Sequence, residues 1–305
     1  MARAYASTIL DAPIETVWAT IRDFNGLPSW HSAIVRSEIE GGLDSDVVGC
    51  IRSFHLADGA HVRERLLSLS DRDHSFSYNF ETPAFPVTNY VARIRLLPVT
   101  ATGQTFAEWE ATFDEAPEDA GKYVDIISNG VFQGGWNALK QALPGRTSPP
   151  GASRWAGFPP NKVWCSTVIP GPVEAVWNVI RDFAGMGGWH DAITKMHMID
   201  GVSSDKVSGT RDFFFDDGHL HEKLLHLDDA ERSFSYCITQ SPLPWLHYVS
   251  GPRLWPVTDG NATFGAWTGD WVASPLDDLT LIPLATNEVY LKAFRTVAER
   301  FSPKG

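Results

Sequence analysis

The sequence predicts two α+β domains in tandem, each an antiparallel sheet curled around a long C-terminal helix. Three observations predict it. The chain repeats itself. Each repeat runs strand, helix, several short strands and a long helical pattern, and a segment dense in Pro and Gly separates the repeats. At 305 residues there is enough chain for two ordinary domains, each with its own core.

The repeat is read directly. Val17-Trp18-Ala19-Thr20-Ile21-Arg22-Asp23-Phe24 returns as Val176-Trp177-Asn178-Val179-Ile180-Arg181-Asp182-Phe183, with six of the eight positions identical. In the same order follow Trp30-His31 and Trp189-His190, then Glu64-Arg65-Leu66-Leu67 and Glu222-Lys223-Leu224-Leu225. Ser75-Phe76-Ser77-Tyr78 then matches Ser233-Phe234-Ser235-Tyr236, and Thr105-Phe106 with Trp109 matches Thr263-Phe264 with Trp267. A colinear series of this kind marks a duplication. The domains are expected at 1–143 and 162–305, paired within the chain as a pseudo-dimer. Residues 144–161 form a linker in which Pro144, Pro149, Pro150, Pro159 and Pro160 break helix and strand alike. Trp155 and Phe158 are expected to pin that linker to a domain.

Each element has a local reason. A strand at 4–10, and again at 164–169, leads into a helix opened by Pro13 or Pro172, where a missing N–H costs nothing. Strand patterns punctuated by turns follow at 48–55, 62–69, 75–80, 88–97 and 104–113. Helical patterns at 122–143 and 286–301 close the copies. Short turns between sequential strands imply an antiparallel sheet, and the last helix must cover its apolar face.

Composition removes several classes of function. With 25 Lys plus Arg against 37 Asp plus Glu the formal charge is −12, which opposes nucleic-acid binding. Hydrophobic residues total 43% but never run unbroken for the ~18 positions of a membrane helix, and the first residues do not resemble a secretory signal. A cytoplasmic protein without a membrane partner is expected. Cys50, Cys165 and Cys237 lie in no metal or redox spacing and read as small packing residues. His219-x-His221 projects two imidazoles to one side of a strand, but no carboxylate or cysteine stands at diagnostic spacing, so no metal is expected. Phosphate loops and nucleophile elbows are absent, so no cofactor is expected either.

Alternation along Val62-Arg63-Glu64-Arg65-Leu66 puts Glu64 on the apolar face, and Leu220, Glu222 and Leu224 repeat this. A carboxylate there needs a partner or a raised pKa. Arg52 is the obvious partner. The pair then braces a hairpin, or Glu64 is a polar anchor or proton acceptor in a cavity, and the two readings are compatible. His31 is either a solvent-facing imidazole or a polar group turned toward a ligand. Tyr78, Tyr90 and Trp109 are core aromatics or the lining of an apolar binding site.

The stretch 17–34, Gly49-Cys50-Ile51-Arg52, Glu64-Arg65-Leu66 and Thr88-Asn89-Tyr90 resemble the plant abscisic-acid receptors. They equally resemble bacterial relatives in the polyketide cyclase/dehydrase branch of the START/birch-pollen-allergen superfamily. The resemblance covers nearly all of each half. It implies the helix-grip fold, a seven-stranded antiparallel sheet gripping a long C-terminal helix with a cavity between them, and apolar ligands such as polyketides, terpenoids or hormones. By position it implies ligand-facing roles for His31 and His190, Glu64 and Glu222, Tyr90 and Tyr248, Arg52 and Arg211, Tyr78 and Tyr236, and Trp109 and Trp267. His31 and His190 stand where the receptors have a lysine, which makes recognition of an acid group depend on protonation. Trp109 and Trp267 replace a second acidic group, and the gate loop shrinks to little more than Ala57-Asp58-Gly59. Both departures argue against hormone sensing. The expected function is binding of a small hydrophobic or aromatic molecule. The alternative is a cofactor-free cyclase, dehydratase or isomerase in which Glu64 or His31 moves a proton and Tyr78 or Tyr90 polarises a carbonyl. A third reading is a structural or regulatory module with one degenerate copy, since Pro83-Ala84-Phe85-Pro86 diverges from Pro242-Leu243-Pro244-Trp245.

Overall fold

In the computed structural model, which describes residues 1–56, 59–147 and 161–302, each repeat carries one seven-stranded antiparallel sheet. The first domain runs β1 (Ala2–Leu10), α1 (Ile14–Ile21), β2 (Ile34–Ile39), β3 (Ile51–Leu56), β4 (His61–Ser70), β5 (Ser75–Thr82), β6 (Thr88–Val99) and β7 (Gln104–Asp114). Its terminal helix is α2 (Lys122–Asp125), a π-helical stretch (Ile126–Phe132) and α3 (Gln133–Ala142). The second runs β8 (Val163–Ile169), α4 (Val173–Ile180), β9 (Ile193–Met198), β10 (Thr210–Phe215), β11 (Gly218–Asp228), β12 (Ser233–Gln240), β13 (Leu246–Val257) and β14 (Ala262–Val272). It closes with α5 (Pro275–Pro283), a π-helical stretch (Leu284–Leu291) and α6 (Lys292–Phe301). Strand orders are β1-β7-β6-β5-β4-β3-β2 and β8-β14-β13-β12-β11-β10-β9. Both domains therefore have the α+β helix-grip fold.

The repeated motif of α1 and α4 is explained residue by residue. Trp18 Nε1 donates to Asp71 Oδ1 at 2.8 Å, and Arg22 Nε reaches the same oxygen at 2.6 Å. Trp177 and Arg181 hold Asp229 in the same way, at 2.8 and 2.6 Å. Asp23 and Asp182 turn the chain by accepting from the backbone N–H of Asn25 and Ala184. The aromatic that ends the motif, Phe24 or Phe183, is buried under the neighbouring strands.

Curvature comes from register shifts. Bulges interrupt the β4–β5 ladder at Arg63/Glu64 and Leu66/Ser68, and the β11–β12 ladder at His221/Glu222 and Leu224/His226. Each bends its sheet about the terminal helix, which buries Phe132, Trp136 and Leu139 in one domain and Tyr290, Phe294 and Val297 in the other.

Two expectations differ from the structure. Strands β2 and β9 carry no clear sequence pattern because they are short edge strands whose alternation is broken by a register shift after Ile34 and near Thr194, so that Ile34 and Ile193 are buried while Val35 is 68% exposed. The terminal helix of the second domain starts at Pro275, well before residue 286. Ser274 caps it by accepting from the Asp277 N–H at 3.1 Å, and Pro275 and Pro283 fall where the helix opens and where it widens into its π stretch. Cys50 and Cys165 are buried and Cys237 half-buried, and burial pushes the Cys165 thiol up to about 12, as suits an inert packing residue. No described helix is long and apolar enough to cross a membrane. Ala57, Asp58, Trp155, Phe158 and most of the 144–161 linker lie outside the described residues.

Candidate functional site

The site in each domain is built on the hairpin of the third and fourth strands. Arg52 faces Glu64 across β3–β4, and Arg211 faces Glu222 across β10–β11. Alternation turns all four side chains inward, where they are 2–5% exposed. Arg52 Nε donates to Glu64 Oε2 at 2.7 Å and its Nη1 to the Phe24 carbonyl at 2.8 Å. Its guanidinium lies 3.9 Å over the Phe24 ring and 5.1 Å from that of Tyr78. Arg211 repeats this with Glu222 at 2.7 Å, the Phe183 carbonyl, the Phe183 ring at 4.0 Å and Tyr236 at 5.1 Å. Burial raises the Glu64 and Glu222 carboxyls above the usual range, with the arginines opposing it.

Beside each pair lies a cavity. The first, about 190 Å³, brings together His31, Arg52, Glu64, Tyr78, Tyr90 and Trp109, with Phe54, Phe80 and Phe85 closing around them. The second, about 460 Å³, is lined by Arg211, Glu222, Tyr236 and Tyr248 with Phe213, Leu220, Ile238, Leu243 and Trp245. Phe80 stacks on Tyr90 with ring centroids 4.0 Å apart and fills space that the smaller Ile238 leaves open. Asp216 and Asp217 border the second cavity at its β10–β11 turn.

His190 and Trp267, expected to face the ligand, are not among the residues lining the second cavity. A methyl group on Gly135 would lie 3.3 Å from His31 Nε2, and the second helix carries Ala293 at the matching position. His190 instead accepts from the Ala192 N–H at Nδ1, 3.3 Å away, and borders an outer groove with Glu299 and Arg300. Trp267 stacks on Tyr290 at 5.4 Å and donates to Ser250 Oγ at 3.0 Å. Ala92 stands where Ser250 does, so Trp109 Nε1 donates to the Tyr78 hydroxyl instead, at 2.9 Å.

Protonation states follow from burial. It lowers His31, with the Arg52 charge adding to the effect, and lowers His190, so both imidazoles are neutral near pH 7 and neither serves as a fixed cation for an acid group. Burial lifts Tyr78, Tyr90, Tyr236, Tyr248 and Tyr290 far above the ordinary phenol, which leaves them as protonated donors. Tyr290, whose hydroxyl bonds that of Tyr248, was not legible in the sequence, nor were Ser250 and the Phe80/Ile238 difference. Tyr290 lies on a helix that only folding brings to the sheet. A close comparison of the copies would have flagged position 238.

An antiparallel sheet wrapped on a helix, with a buried Arg–Glu pair beside a cavity, gives each domain the helix-grip architecture. Residues 1–144 and 162–301 each match the family described as polyketide cyclase / dehydrase and lipid transport, and the chain belongs to that family. Among solved structures it is similar to XoxI from Bacillus cereus, at 29% identity over 47% of this chain and 96% of that one, with a TM-score of 0.43. It is also similar to the di-domain ARO/CYC BexL from the BE-7585A biosynthetic pathway, at 11% identity over the whole of both chains, with a TM-score of 0.42. Norcoclaurine synthase from Thalictrum flavum matches at 16% identity over 48% of this chain and 89% of that one, with a TM-score of 0.42.

Proposed function

We propose that this protein binds a small hydrophobic or aromatic molecule in the cavity of its second domain. The observation that carries this reading is the pairing of an apolar cavity of about 460 Å³ with a few convergent polar groups, Glu222, Tyr236 and Tyr248. That volume falls within the ~300–1,000 Å³ of small-molecule sites, whereas the first cavity, at about 190 Å³, falls below it. Charge narrows the ligand class. Arg211 is occupied by Glu222 and the Phe183 carbonyl, and the border carries Asp216 and Asp217, so a neutral or cationic polar end suits the site better than a carboxylate. Both domain boundaries and the ligand roles of the lining residues belong to this reading.

Chemistry is the second reading, favoured by one observation. A buried carboxyl with a raised pKa stands among protonated phenols in each domain, the arrangement that a proton-transfer cyclase, dehydratase or isomerase needs. Native mass spectrometry of the freshly purified protein, followed by extraction, tests the binding reading. One equivalent of an apolar compound per chain supports it. An empty protein that also fails to bind a hydrophobic fluorophore overturns it. With a ligand in hand, Glu222→Gln separates the two readings, since an enzyme loses turnover while keeping affinity and a carrier loses affinity or nothing.

A further inference from the structure

On the outer face of the second sheet, away from the cavity, folding assembles three metal-ligating side chains that the sequence holds on two strands. Residues 219 and 221 point outward from β11, and the register sets Asp212 of β10 directly opposite His221. His219 Nε2 lies 3.0 Å from one Asp212 oxygen and His221 Nε2 lies 3.0 Å from the other. Among the described residues this is the one group of three such ligands, with its donor atoms all within 4.8 Å of one another. We propose that Asp212, His219 and His221 form a binding site for a divalent transition-metal ion of the zinc type.

The geometry asks for little movement. Zinc takes imidazole nitrogen and carboxylate oxygen at ~2.0–2.2 Å, which sets tetrahedral ligands about 3.4 Å apart; each imidazole nitrogen already lies 3.0 Å from an Asp212 oxygen, and the donor atoms all lie within 4.8 Å. Paired strands hold the three side chains in place, so binding does not wait for backbone ordering. Neutral imidazole with one carboxylate selects zinc, copper, nickel or iron over magnesium and calcium. Side-chain exposures of 38%, 23% and 20% for His219, His221 and Asp212 leave the remaining coordination positions open to water.

A supporting shell is also present. Gln240 on β12 places its amide 3.1 Å from His219 Nδ1, and with the amide turned over its oxygen accepts the Nδ1 proton, the tautomer that frees Nε2 for a metal. Phe214 stacks on His219 at 4.7 Å and steadies the ring. His197 stands opposite Asp212 on β9 but is exposed and directs its Nδ1 to the Lys195 carbonyl. The first domain supplies a contrast, since Ser53, His61 and Arg63 occupy the matching positions. There Ser53 bonds His61 at 2.8 Å, Arg63 is drawn to Glu40 and the neighbouring His55 stacks on His61 at 4.7 Å, so no carboxylate stands where Asp212 does.

Calorimetric titration of the chelator-stripped protein with Zn²⁺, and with Mg²⁺ as control, tests the proposal. One equivalent of Zn²⁺ is expected to bind in the micromolar range, with no binding of Mg²⁺. Asp212→Asn and His221→Gln are each expected to weaken it about 10- to 100-fold or more, while His61→Gln in the first domain leaves it unchanged. Titration with Co²⁺ should raise a visible ligand-field band that the second-domain variants lose. A stoichiometry and affinity untouched by both second-domain variants, or no saturation below millimolar Zn²⁺, overturns the site.

Discussion

At Glu64 and Glu222 two opposing effects meet, the cost of removing a carboxylate from water and the attraction of an arginine 2.7 Å away. Removing one partner strands the other, so Glu222→Ala is expected to destabilise the second domain by about 3–5 kcal/mol, while Glu222→Gln costs less because its carbonyl still accepts from Arg211. Denaturant unfolding followed by tryptophan fluorescence measures both. The histidines add a pH dependence. His31 and His190 are held below the ordinary 6.5, so the unfolded chain binds protons that the folded chain refuses. Their contribution to stability is complete above about pH 6.5 and is lost as pH falls through the lower folded values. Glu64 and Glu222, raised by burial, act in the opposite sense, adding stability at low pH that is lost as pH rises through their folded values. The test is therefore a difference. His31→Asn should lose less stability than the parent between about pH 7.5 and 5, and equal losses would remove His31 from the account.

Neighbouring glycines show how finely the terminal helix is fitted to the sheet. A methyl group on Gly135 would lie 2.7 Å from the Trp109 ring, whereas one on Gly134 would meet nothing within 4 Å. Trp109 cannot yield easily, because it stacks on Phe132 at 4.7 Å and meets Trp136 edge-on at 5.4 Å. Gly135→Ala is expected to cost about 1–3 kcal/mol by overpacking, and Gly134→Ala to stabilise by about 0.5–1 kcal/mol through helix propensity. Thermal melting of the two variants should move in opposite directions, and a shared sign would contradict the fitted geometry. The same scale explains which elements were legible. Interior strands such as β4, with Val62, Glu64 and Leu66 inside, announce themselves by alternation, whereas in β2 and β9 a register shift interrupts the short run between buried Ile34 or Ile193 and the half-buried residues that follow.

Across the whole molecule the duplication has kept one frame and diverged inside it. Both Arg–Glu pairs and both tryptophan–aspartate clasps survive, yet one cavity is less than half the volume of the other. If Phe80 closes the first cavity, then Ile238→Phe should close the second. Titration with a hydrophobic fluorophore is expected to show about tenfold weaker binding in that variant, at unchanged fold content by circular dichroism. Retained affinity would place the binding surface elsewhere.

The sequence by itself determined the duplication, the order of most strands, the inward face of Glu64 and its pairing with Arg52, because these rest on local periodicity and on neighbouring strands. It also determined the family, through short motifs that lie within single elements. Only the tertiary structure decided that His190 and Trp267 leave the cavity lining while Tyr248 meets Tyr290, and that Asp212 joins His219 and His221. Each of those outcomes depends on groups from separate elements meeting at ångström separations. One hydroxyl on Ser250, which accepts from Trp267, and one step of strand register, which sets Asp212 opposite His221, shape two of them, and neither leaves a periodic trace along the chain.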